Sequence, residues 1–436
     1  MHRSALFCLA PVLLGTPVIA QCDPATVLAP GIRTFLSAIS GPSEIRAADL
    51  NNDGNQDLVI TEFSSDTVAV MLGAGDGTFA APDRYDFTFG IGLNPSGLAV
   101  ADFTGDTVPD LAIGNAGSST VTILVGIGDG TFTAGGEFDA GFFVQPRDIA
   151  TADLDNDGDT DIVVSSEANQ VRVLHNDGTG SFAPPIFTVV IGTVSAVELA
   201  DVNGDQIPDA VVSDFNGFEL EVAFGDGAGG FEPFNQYDTI MTPTDLKLAD
   251  MDQDGDLDVV VCGLFDEVTV HINAGNGSFH THNSTTTLSV PLALDLADLD
   301  LDGQIDVLVA TASTNPQTIS LFSGIGNGTL GAEIAHPGLQ GANGVVMSDF
   351  DNDGATDAAV IFEISNDIMV YLNTCDETGC APDLAAPFGV LNFFDISAFI
   401  TAFNAMDPAA DFAAPFGVFN FFDVAAYIDA YNAGCP

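Results

Sequence analysis

The chain has 436 residues, with seven Lys and Arg against 62 Asp and Glu, a formal net charge of −55 and no Trp. So few cations leave no basic patch for phosphates, which excludes nucleic-acid binding and attraction to anionic membrane surfaces. Apolar residues make up 46%, too many for a solvated acidic tail, and a compact chain of this charge repels itself, so its clustered carboxylates point to bound cations.

Residues 1–20 read as an export signal: His2 and Arg3, an apolar stretch from Ala5 to Leu14, then Val18, Ile19 and Ala20 at the cleavage edge. No other apolar run reaches the ~18–20 residues needed to cross a bilayer. The expected mature protein is therefore exported, without a membrane span. Export permits disulfides. Five cysteines follow the signal, Cys22, Cys262, Cys375, Cys380 and Cys435. Cys262 adjoins the apolar run Val259–Val261 and is expected to be the free thiol.

Next comes a lone strand pattern, Thr26–Phe35, and then a motif that recurs seven times, its first residues 53, 51, 48, 49, 48 and 51 positions apart. That spacing is blade length for a propeller. Each motif is nine residues long, opens and closes on Asp, and carries oxygen-bearing side chains between. The copies contribute Asp49, Asn51, Asp53, Asn55 and Asp57; Asp102, Thr104, Asp106 and Asp110; Asp153, Asp155, Asp157, Asp159 and Asp161; Asp201, Asn203, Asp205 and Asp209; Asp250, Asp252, Asp254, Asp256 and Asp258; Asp298, Asp300, Asp302, Gln304 and Asp306; and Asp349, Asp351, Asp353 and Asp357.

After each motif come an apolar β run such as Leu58–Thr61, a second strand such as Thr67–Leu72, and a Gly-x-Gly turn closing on an apolar residue, as in Gly75–Phe79, where a third strand starts. A fourth strand, such as Gly97–Ala101, leads into the next motif. Four short strands per unit make one blade. The seventh unit stops at Thr374, one strand short, and Thr26–Phe35 matches the missing one. The expected fold is mainly β: a seven-bladed propeller over residues 21–374, closed by its N-terminal strand. Closure would bring Cys22 to Cys375, and a disulfide is expected there.

Hard oxygen donors at positions one, three, five, seven and nine around a Gly at position six suit Ca²⁺ better than Mg²⁺ or Zn²⁺. Up to seven structural Ca²⁺ sites are expected. The apolar residue at position two is expected to face the core. The copies at 102 and 201 lack the position-six Gly and carry Thr107 and Gln206 instead.

Together the aspartate loop and the Gly-x-Gly-x-Phe turn resemble the FG-GAP/VCBS repeats of the integrin alpha-chain propeller and of many secreted bacterial proteins. The resemblance covers about residues 26–374. It implies structural Ca²⁺ on one face and a protein or glycan partner on the opposite face, as in adhesion. The loops there would be Glu62–Asp66, Asn115–Ser119, Ser165–Gln170, Asp214–Glu219, Leu264–Glu267, Ser313–Thr318 and Glu363–Asp367.

Residues 375–436 carry two copies of another unit, 28 positions apart: Asp383–Asp395 followed by an amphipathic run Ile396–Phe403, and Asp411–Asp423 followed by Val424–Tyr431. Tandem loop–helix units ending in Gly434-Cys435 resemble a dockerin, which implies a small α-helical domain attaching to a cohesin-like or envelope partner. Where a dockerin loop carries Asp or Asn, these loops have Ala385, Pro387, Ala413 and Pro415. Cys380 and Cys435 bracket the module and are expected to pair.

No GxSxG, HExxH, P-loop or CxxC motif occurs. His280 and His282 would share one face of a strand and read as surface residues rather than a metal pair. The leading expectation is an interaction scaffold tethered by its tail. The alternative is a polysaccharide-degrading lyase or hydrolase on the same scaffold.

Overall fold

The computed structural model describes residues 24–375 except 26, 37–40, 87–88, 91, 142–143, 167–168, 191, 241 and 313–317. Residues 23–374 form one compact unit. The expected signal, the dockerin-like module with its helices, and Cys22, Cys380 and Cys435 lie outside the described residues. Cys375 is buried and disulfide-bonded. Cys262 is free and buried, as expected. Among the described residues no helix is long and apolar enough to cross a membrane.

The unit consists of seven four-stranded antiparallel sheets. Blade one runs Pro42–Ala48, Asp57–Glu62, Thr67–Met71 and Asp83–Tyr85. The strand leading into an aspartate loop thus opens a blade: Pro95–Ala101, expected as the fourth strand of the preceding unit, pairs instead with Asp110–Asn115 beyond its loop. The first strand of blade one contacts the first strands of blade two (Pro95–Ala101) and blade seven (Ala342–Ser348), and such contacts continue around the ring. The first strands thus surround a central channel, and the architecture is a seven-bladed propeller.

Blade seven takes Ala342–Ser348, Asp357–Phe362 and Asp367–Tyr371 from the end of the unit and Ile32–Phe35 from its start. The closing strand is shorter than its sequence pattern. Leu28 makes an isolated bridge to Asn373, and the ladder resumes at Ile32, because Pro30 has no N–H to give.

The second strand of every blade is buried at all six positions. Those strands read as unbroken apolar runs because both faces are covered. The core lies between blades: Leu58 and Ile60 of blade one pack with Ala359 and Ile361 of blade seven. Each such Leu or Ile contributes about 1.5–3 kcal/mol by leaving water. All seven position-two residues are buried, from Leu50 to Phe350, as the pattern requires. Phe103 and Phe350 each meet edge-on the turn phenylalanine of the next blade, Phe182 and Phe79, with centroids 5.8 and 5.6 Å apart.

Strand alternation sorts the loops. Those joining first to second and third to fourth strands share one end, so the aspartate loops and Gly-x-Gly turns lie together. The loops joining second to third strands, and blade to blade, lie at the other end.

Candidate metal centres

Each aspartate loop leaves a first strand at position one and enters a second strand at position nine. Positions four and six are left-handed in every loop, from φ 57° at Asn52 and 88° at Gly54 to 60° at Asn352 and 95° at Gly354. Five loops place glycine at position six. The loops at 102 and 201 place it at position four, as Gly105 and Gly204, and hold position six with Thr107 (φ 70°) and Gln206 (φ 69°). The glycine has moved and the backbone path has not.

The carboxylates organise the loop backbone. Asp49 accepts the N–H of Asp53 at 3.1 Å and of Gly54 at 2.9 Å, and the other position-one aspartates do the same, as at Asp153 and Asp250. Position-five Asp accepts the N–H of position seven, from Asp53 to Asp353. Position-nine Asp is buried in all seven loops. Its two oxygens accept one N–H from position two and one from the end of the third strand: for Asp57 these are Leu50 (3.0 Å) and Gly73 (2.7 Å). Burial pushes Asp209 and Asp258 up to about 6 and Asp306 and Asp357 up to about 7, against the pull of these amides.

Four loops gather three carboxylates with ligand atoms within 4.8 Å of one another. Positions one, three and five meet at Asp250, Asp252 and Asp254; at Asp298, Asp300 and Asp302; and at Asp349, Asp351 and Asp353. Positions one, three and nine meet at Asp153, Asp155 and Asp161. The loops at 49, 102 and 201 have Asn51, Thr104 and Asn203 at position three. Position-seven side chains lean toward the Gly-x-Gly turn of their own blade: a Cβ on Gly75, Gly178, Gly275 or Gly326 would strike Asn55, Asp159, Asp256 or Gln304. The first glycine of that turn is thus required by contact as well as by its positive φ.

The donor set fits a hard cation. Burial first, then the neighbouring loop aspartates, raise the Asp252 and Asp351 carboxyls, a repulsion that a bound cation would reverse. Asp155 Oδ1 and Gln304 Oε1 are buried and have no hydrogen-bond partner. A Ca²⁺ bound there would join the first and second strands of a blade through their carboxylates.

Two features were not read from the sequence. His175 lies against the third loop, its Nδ1 3.4 Å from Asp161 and 4.0 Å from Asp155. It follows the third strand directly, and that position was its only signal. The central channel is the second feature: a cavity of about 390 Å³ touched by all seven first strands, with Arg46, Arg147 and Lys247 in its lining. Within it Arg46 pairs with Glu44 and lies 3.6 Å from Asp148, and Lys247 pairs with Glu198. Burial, against the pull of Arg46, pushes the Glu44 carboxyl up to about 7. The concentration of such scarce cations in first strands was the available signal.

The two histidines expected on one strand face have different neighbours. His280 precedes the strand Thr281–Thr286 and meets Tyr237 edge-on at 5.1 Å. His282 lies 5.2 Å from buried His271, whose imidazole burial lowers to about 3.

Known proteins give a consistent picture. No curated protein matches the chain. Among solved structures, BBS1N in its complex with ARL6DN superposes with a TM-score of 0.56 at 14% identity, covering 80% of this chain and 98% of that one. Virginiamycin B lyase from Staphylococcus aureus superposes with a TM-score of 0.56 at 9% identity, covering 78% and 98%. At these identities the likeness is one of fold. A family model described as an FG-GAP-like repeat matches residues 49–113, 109–164, 153–212, 250–309 and 298–360, four of the five matches beginning on the first Asp of an aspartate loop. With more than half its length matched in this way, the chain belongs to the FG-GAP-like repeat family.

Proposed function

We propose that this chain is an exported, Ca²⁺-stabilised propeller that presents a docking surface for a protein partner on the face opposite the aspartate loops, tethered through its dockerin-like C-terminal module. One observation carries the docking face. Phe63, Phe218, Phe265 and Ile364 occupy equivalent loops between second and third strands, and they are 41, 41, 59 and 59% exposed. Leu93 and Leu288 lie in blade-to-blade loops at the same end and are also exposed. Apolar side chains gathered at one rim favour a protein surface. A glycan site usually stacks sugars on Trp or Tyr, and this chain has no Trp and five Tyr. The fold neighbour BBS1N, solved in complex with ARL6DN, supports a protein-binding role.

Ca²⁺ on the aspartate loops would hold the blades rigid and offset part of the charge. The experiment compares the wild type with a Phe63→Ser/Phe218→Ser/Phe265→Ser/Ile364→Ser variant, both used to capture partners from exported proteins of the host. A partner held by the wild type and by a control variant on the aspartate face (Ile127→Ser/Ile325→Ser), but lost by the rim variant, is the expected result. Capture unaffected by the rim variant contradicts the docking face. Shortened products from a polysaccharide panel would replace this reading with the lyase or hydrolase one.

A further inference from the structure

At the end of blade four away from the aspartate loops, three carboxylates converge from two strands. Asp214 closes the second strand, Asp209–Asp214, and Glu219 opens the third, Glu219–Ala223. The two are direct cross-strand partners. Glu221 is two residues further on, so it shares their face. One oxygen from each lies within 4.8 Å of the other two. Asp214 is 1% exposed. Its Oδ1 accepts the N–H of Asn216 at 2.9 Å, and its Oδ2 is buried without a hydrogen-bond partner. Asp238 adds a fourth carboxylate opposite Glu219.

Equivalent positions in two other blades show what such a place requires. In blade one the buried carboxylate is Glu62, which corresponds to Asp214. Arg84 on the fourth strand grips both its oxygens, at 2.7 and 2.8 Å. In blade seven Arg33 grips buried Asp367, which corresponds to Glu219. Arg84 pairs in register with Ala69, and Arg33 with Met369. The residue at that register in blade four is Gln236, paired with Glu221. Its amide donates to Glu219 at 2.5 Å and to Glu221 at 3.3 Å, and it brings no charge. Blade four thus has more carboxylates than either and lacks the guanidinium.

We propose that Asp214, Glu219 and Glu221 hold one hard divalent cation of the Ca²⁺ type, in the place that an arginine fills in blades one and seven. Carboxylate oxygens are the donors such an ion takes, and oxygens about 2.3–2.6 Å from one Ca²⁺ can stand up to roughly 5 Å apart. The observed spread fits a single ion. Glu219 is partly exposed and opens the site to solvent. This site is separate from the aspartate loops and does not rest on the reading given above for them.

The test titrates the chelator-stripped full chain with CaCl₂ by isothermal calorimetry and counts ions per chain. The proteins compared are the wild type, an Asp214→Asn/Glu221→Gln variant and Gln236→Arg. Both variants are expected to bind one ion fewer than the wild type. Gln236→Arg is expected to melt in chelator at or above the wild-type temperature, because its guanidinium replaces the ion. Loop sites are common to all three proteins, so the difference reports this site even where no loop binds. An equal ion count in wild type and Gln236→Arg, or a lower melting temperature for Gln236→Arg in chelator, overturns the proposal. If the carboxylate variant does not fold, the arginine variant still decides.

Discussion

Arg33 donates from Nε and a terminal nitrogen to the two oxygens of Asp367, at 2.8 and 2.6 Å, across 334 positions of sequence. The pair lies on the seam where the two ends of the propeller unit share blade seven. Asp367 is fully buried while Arg33 reaches in from the surface. Removing the cation leaves a buried carboxylate uncompensated. Arg33→Met is therefore expected to lower the melting temperature by several degrees. Arg33→Met/Asp367→Leu should recover part of the loss, and a thermal melt of the three proteins checks it.

Thr107 is a β-branched residue at φ 70°, a conformation that costs L residues roughly 1–2 kcal/mol. Thr107→Gly should stabilise the chain by about 1 kcal/mol once glycine's entropy is counted. Conversely, Gly158→Thr should lose a similar amount through backbone strain alone, because an added Cβ there meets nothing within 4 Å. Urea unfolding midpoints at fixed Ca²⁺ measure both.

Buried Asn373 donates from Nδ2 to the Leu299 carbonyl of the preceding blade at 2.9 Å and to the Thr356 carbonyl at 3.0 Å. Asn176 and Asn273 repeat the inter-blade link, to Phe103 and Val202. Asn373→Ala leaves both carbonyls without this donor and should cost about 1–3 kcal/mol. Denaturant unfolding of the single variant checks the figure.

The channel carries a pH signature. Glu44 faces Arg46, Asp148, Asp245 and Lys247, and its carboxyl is raised from 4.5 to about 7, first by burial. Between those values the folded chain holds a proton that the unfolded chain releases. Stability therefore falls as pH rises from about 4.5 through 7. Burial also raises Asp245, to about 6, which adds to the same slope. Glu44→Gln should flatten the decline between pH 5 and 8. Melting curves of both proteins at several pH values, in one buffer series, test the sign.

The propeller was legible because its requirements are local. An apolar residue at position two, an Asp that caps its own loop at position one and glycines at left-handed turns recur wherever the backbone needs them. Ring closure followed from one missing strand and one spare. The glycine exchange between positions four and six was not legible, since only the φ angles show that both positions are left-handed, with Gly105 standing where blade one has Asn52 and Thr107 where it has Gly54. Position-nine Asp was read alongside the loop donors. Spacing alone does not reveal that Asp57 accepts amides from Leu50 and Gly73. The pairings in the channel and in the blade-four triad were not legible for another reason. Lys247 meets Glu198, and Asp214 meets Glu221, only through register and ring closure.

The stabilisation of this propeller by Ca²⁺ on its aspartate loops, proposed above, is tested by a thermal melt of the full chain in Ca²⁺ and in chelator, with bound Ca²⁺ counted on the same sample. A ligand that binds only the folded state must raise the melting temperature, by RT ln(1 + [L]/Kd) per site in free energy. A clear fall on chelation is expected, with roughly three or more ions per chain and further sites filling as Ca²⁺ rises. An unmoved midpoint with fewer ions than that would contradict it.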